Sequence, residues 1–124
     1  MKFLLIMHNN PAVWESLTEA ERNAVMTGHG GFIKTIQDSG ELVVTQALAD
    51  PTNSAVVRVR AGVPVVTDGP YLEAKEFLGG YYLVDVASRE RALELAALIP
   101  DAAVDGLGIE VRPVMFSAGM EMEI

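Results

Sequence analysis

Residues 2 to 8, KFLLIMH, run apolar after Lys2 without alternation, which predicts a strand covered on both faces near the middle of a sheet. Pro11 ends that extension. Thr18 stands three residues before Glu21, the spacing of a capping box, and Glu19 and Glu21 put negative charge at the positive end of a helix dipole. Ala24 or Val25, then Gly28, Phe32, Ile33 and Ile36 recur at helical spacing until Gly40, so a helix is predicted over 18–39. Strands are predicted at 42–48, at 55–60, where Val57 and Val59 alternate with Arg58 and Arg60, at 63–67, and at 80–86 after a break at Gly79-Gly80. Ser88 caps a second helix whose apolar stripe is Ala92, Leu95, Ala96 and Ile99, and Pro100 stops it. A last strand over 108–115 tolerates Pro113 if it lies at a sheet edge.

This order of elements is α+β. It fits a ferredoxin-like split βαβ with an inserted hairpin, in which helices cover one face of an antiparallel sheet. The other sheet face then needs a cover, and a second copy of the chain is the usual one.

The 124 residues allow one domain, 1–124, with a single core. A formal charge of −8, with the cations scattered, argues against direct nucleic-acid binding, which requires clustered Lys and Arg. Cysteine is absent, which removes disulfides, thiolate nucleophiles and Cys-ligated metals and fits a cytoplasmic setting. The start reads as a strand and not as a signal peptide, and no apolar run approaches the ~20 residues of a membrane span.

Chemistry has few places to reside. His29 stands mid-helix between Gly28 and Gly30, although each interior glycine costs about 1 kcal/mol against alanine. Close approach of another segment is one reason to keep them there, and a general base is the corresponding functional reading. Asp68, in an Asp-Gly-Pro turn, either bonds nearby amides or orients His29. Glu73, Lys75 and Glu76 crowd opposite charges into four residues, as a solvated loop or as ligand contacts together with Tyr71. His8 closes the first strand at a rim. The two histidines lie 21 positions apart without HxH or HExxH spacing, so no metal ligand is assigned, and no sequence calls for a cofactor. Tyr81 and Tyr82 fall on opposite faces of one strand, and Trp14 packs as core or closes a cleft mouth.

The stretch Asp68 to Asp85, DGPYLEAKEFLGGYYLVD, resembles the DGPF-type branch of the YCII-related proteins, as do MKFLLIMHNN and IEVRPVM at the two ends. The resemblance implies a ferredoxin-like dimeric α+β barrel, and in the broader family an acid–base pair of a helix histidine and an aspartate preceding a proline. His29 falls at the histidine. The residue before Pro100 is Ile99, so Asp68 or Asp101 has to supply the carboxylate. The expected function is a cytoplasmic homodimer whose cleft binds a small organic molecule, with cofactor-free lyase- or isomerase-like chemistry at His29. The alternative is a non-catalytic accessory or sensor domain acting with a regulatory protein such as a sigma factor, the setting the resemblance suggests.

Overall fold

The computed structural model describes residues 1–69 and 77–119. Six strands and three helices follow in the order β1 (Lys2–Asn9), α1 (Pro11–Ser16), α2 (Glu19–Asp38), β2 (Leu42–Ala47), β3 (Ala55–Arg60), β4 (Val63–Asp68), β5 (Phe77–Asp85), α3 (Arg89–Leu98) and β6 (Ile109–Pro113). Strands β2, β5, β1 and β6 form one antiparallel sheet in that order, and β3 and β4 pair only with each other. The first strand is therefore central, as its unbroken apolar run requires.

Local chemistry sets the helix ends. Thr18 and Glu21 form the reciprocal capping box, and Glu21 is held below the usual carboxylate range by the Thr18 amide and hydroxyl it bonds. Gly40, at φ +80°, turns the chain out of α2. Ser88 accepts from the Arg91 amide to start α3. Arg91 then grips Glu41 with Nε and Nη2 at 2.9 and 3.0 Å, tying α3 to the start of β2 and holding the Glu41 carboxyl below its ordinary range.

Helices α2 and α3 cover one face of the four-stranded sheet. Phe3, Leu5, Tyr82 and Val84 from the sheet meet Phe32 and Ile36 from α2 and Ala92, Leu95 and Ala96 from α3. Each large buried side chain contributes roughly 1.5–3 kcal/mol relative to exposure. The β3–β4 hairpin stands apart from this core. It pairs Val57 with Val66 and Val59 with Pro64, and those three valines are 61–65% exposed.

Two boundaries differ from the sequence reading, and a third, the stop at Pro100, holds but continues into an unexpected turn. Pro11 does not merely stop β1: it is the first residue of α1, where a missing N–H costs nothing, and Asn10 caps that helix by accepting from the Ala12 and Val13 amides. The Gly79-Gly80 pair is not a break, since β5 runs through it. A Cβ at Gly80 would lie 2.8 Å from the Gln46 carbonyl oxygen, and one at Gly79 would lie 3.0 Å from Asn9 Cβ, so these glycines admit neighbouring strands. Pro100 ends α3 and at once opens a 3-10 turn, Pro100–Ala103, with Asp101 in it. Among the described residues no helix is long and apolar enough to cross a membrane.

Candidate functional site

A cavity of about 370 Å3 opens where the ends of β1 and β2 meet α2 and the glycine stretch of β5. Met7, Trp14, Val25, Ile33 and Leu107 give it an apolar wall, and its polar groups include His29, Asp101, Tyr82, Thr45, His8, Asn9 and Gln46. Its size lies toward the small end of the ~300–1,000 Å3 usual for ligand pockets.

His29 is placed by α2, one turn before Phe32. The glycine in front of it has a specific reason: a Cβ at Gly28 would stand 2.6 Å from Pro100 Cγ. That closeness carries the Pro100–Ala103 turn against α2 and sets Asp101 beside the imidazole. His29 Nε2 lies 2.7 Å from Asp101 Oδ1, and Nδ1 lies 2.6 Å from Tyr82 Oη. Both ring nitrogens are thus engaged, with the His29 and Asp101 side chains only 19% and 18% exposed. Gly30, by contrast, has open space where its Cβ would be.

Tyr82 comes from central strand β5 and is 2% exposed. Phe32 meets its ring edge-on at 4.9 Å between centroids, and the His29 ring lies near-parallel to it at 5.9 Å. Burial, with the Asp101 charge adding to it, pushes the Tyr82 hydroxyl up to about 12. The phenol therefore keeps its proton at neutral pH.

His8 lines the same cavity, with Nε2 2.6 Å from Glu110 Oε1. This bond and the neighbouring Arg112 hold the Glu110 carboxyl below its usual range. Of the two carboxylates expected to serve His29, the structure brings Asp101 to it. Asp68 is instead exposed at the far end of β4, paired with Ala55 in the separate hairpin, and does not line the cavity. A hairpin that pairs only with itself carries Asp68 away from α2. Tyr71, Glu73, Lys75 and Glu76 lie outside the described residues.

Thr45 was missing from the expected site, while Trp14 was expected as core or cleft mouth and Tyr82 was left undecided against Tyr81. One signal pointed to Tyr82: it shares strand phase with Val84 and Val86, which are apolar and buried, whereas Tyr81 faces away and bonds Gln46. No comparable signal marks Thr45. Among the described residues no group of three or more His, Asp or Glu side chains could hold a metal ion.

The chain is thus an α+β domain with an aromatic-backed histidine–aspartate pair in an apolar cavity. It belongs to the YCII-related domain family, whose pattern matches residues 1–117. It is also similar to an uncharacterised protein of Rhizobium meliloti (strain 1021), with 32% identity over 114 residues that cover 92% of each chain.

Proposed function

We propose that the cavity binds a small, largely apolar organic molecule and that His29, held by Asp101, exchanges a proton with it, giving cofactor-free lyase- or isomerase-like chemistry. The observation that carries this reading is an imidazole fixed at both nitrogens by Asp101 and Tyr82 in the wall of a largely apolar cavity. No Lys or Arg lines that cavity among the described residues, which favours a neutral ligand over an anionic one. The sequence DGPY supports the DGPF-type branch, and the sheet order β2-β5-β1-β6 supports a ferredoxin-like arrangement.

Trp14 is the chain's one tryptophan and lines the cavity, so its fluorescence reports occupancy. A library of neutral compounds of up to about a dozen heavy atoms should contain binders that change Trp14 emission and shift the His29 ring signals. His29→Ala should keep binding and lose any turnover found. A library that moves neither reporter, or a turnover unaffected by His29→Ala, removes the proposal.

A cytoplasmic homodimer is the assembly we favour. The hairpin presents Val57, Val59 and Val66 to solvent on one face, and an exposed apolar face of this kind suits a second copy of the chain. Val57→Asp with Val66→Asp should convert a dimer to monomer in analytical ultracentrifugation. A wild-type monomer would give this face to another partner, such as a regulatory protein.

A further inference from the structure

We propose that Tyr82 is the group through which the His29–Asp101 pair trades protons with the occupant of the cavity, an inference that rests on the acid–base reading above. The argument follows the positions of protons. A carboxylate only accepts, so with Asp101 ionised the proton of a neutral imidazole sits on Nε2 and is donated to Asp101 Oδ1 across 2.7 Å. Nδ1 is then the lone-pair nitrogen. At 2.6 Å from it stands Tyr82 Oη, whose hydroxyl donates to it.

The basic nitrogen of His29 is therefore covered by a phenol and does not open directly into the cavity. Tyr82 is among the residues that line the cavity, and in the relay its hydroxyl, the group that bonds Nδ1, is the point of contact. As the ligand's X–H bond breaks, its electron pair stays on X and the proton joins Tyr82 Oη. In the same step the original Tyr82 O–H breaks and its proton joins His29 Nδ1. The products are a ligand anion, a neutral phenol and an imidazolium facing the Asp101 carboxylate. Running the steps backwards delivers a proton to another atom of the ligand, which is the net change of an isomerisation.

This path never leaves a free phenolate. Such a phenolate would be costly on a residue that is 2% exposed and close to a carboxylate. Phe32 against the ring edge and the near-parallel His29 ring fix the tyrosine in the one orientation the relay needs.

The test reads proton positions without any ligand. Long-range proton–nitrogen NMR of the 15N-labelled full chain, at a pH where the His29 ring is neutral, should show a single tautomer with the proton on Nε2. Diethyl pyrocarbonate, which needs an imidazole lone pair, should acylate His29 at least tenfold faster in Tyr82→Phe than in wild type. His8 serves as the internal control at unchanged rate, and the amide spectrum verifies that the variant is folded. A wild-type proton on Nδ1 overturns the relay, because the Tyr82 oxygen would then be an acceptor. So does an unchanged or undetectable His29 acylation rate in Tyr82→Phe, since removing the hydroxyl should uncover the nitrogen. Failure here with turnover still abolished in His29→Ala would remove Tyr82 and leave the proposed function standing. A passing tautomer test with silent Trp14 would remove the proposed function and, with it, the relay to an occupant, and would leave only the proton arrangement of His29 and Tyr82.

Discussion

Replacing Gly28 and Gly30 by alanine, one at a time, separates two consequences that a helix normally confounds. Both glycines lie inside α2, where alanine is favoured by roughly 0.5–1 kcal/mol because it restricts the unfolded chain and protects the helix backbone. At Gly30 the new methyl meets nothing within 4 Å, so Gly30→Ala should raise stability by about that amount. At Gly28 it would stand 2.6 Å from Pro100 Cγ and 3.3 Å from Pro100 Cβ. The proline ring is rigid and anchored between buried Ile99 and the Asp101 bond, so it cannot swing aside as a flexible chain end would. Overpacking of this kind costs roughly 1–3 kcal/mol, which cancels or exceeds the helix gain. Gly28→Ala should therefore fall below Gly30→Ala by about 1–3 kcal/mol, a gap on the order of 1 M in urea midpoint. Because the strain falls on the turn bearing Asp101, Gly28→Ala should also disturb the His29 ring signals, which Gly30→Ala leaves alone. Equal stabilisation by the two alanines, with identical His29 signals, would refute the claim that this glycine exists to admit Pro100.

Other perturbations follow from the same geometry. Leu95→Ala empties a fully buried position between α3 and the sheet and should cost about 2–5 kcal/mol in denaturant unfolding. Tyr82 is raised above its unfolded value of about 10, so its contribution is complete below that pH and declines as pH rises toward about 12. The stability gap between wild type and Tyr82→Phe should accordingly shrink by roughly 2–3 kcal/mol from pH 9.5 to 12, and a constant gap would contradict it. Glu41 is shifted the opposite way by Arg91, so its contribution is present near neutrality and is lost as pH falls through its lowered folded value. Glu41→Gln should cost about 1 kcal/mol at pH 7 and little at pH 2.5, measured by urea unfolding at both.

The elements that repeat a local rule were legible in the sequence. The capping box of α2, the Ser88 cap and the apolar run of β1 each bind residues close in the chain, so a single stretch specifies its own structure. Pro11 was misread because the same fixed φ that ends a strand also suits a first helical turn, and only Asn10 decides between the two. Gly79-Gly80 was misread because a glycine demanded by a neighbour looks, in sequence, like a glycine demanded by a turn. In the site, His29 was visible through its flanking glycines. Its partners were not, since Asp101 and Tyr82 are 72 and 53 positions away and meet it only through sheet order and the approach of Pro100. Asp68 stood out as the head of an Asp-Gly-Pro sequence, but β4 carries it into the separate hairpin and away from His29.

Pro100 connects these observations. It stops α3, directs the preceding Ile99 into extended backbone at ψ 129°, and opens the turn that holds Asp101. Its ring also occupies the space left by Gly28. A longer α3 would carry residue 101 onward along the helix axis and away from His29, and a side chain at position 28 would push the turn outward. The carboxylate of this pair can therefore follow the proline instead of preceding it, provided that α2 offers a glycine for the ring to rest on. On this account the pairing depends on the contact between Gly28 and Pro100 and not on the residue at position 99. Ile99→Asp should then leave the His29–Asp101 bond in place while costing several kcal/mol, because residue 99 is 1% exposed and its side chain fills the core under α3. A folded Ile99→Asp protein in which His29 changes partner would show that position 99 is also within reach, and that the proline contact is not what selects the carboxylate.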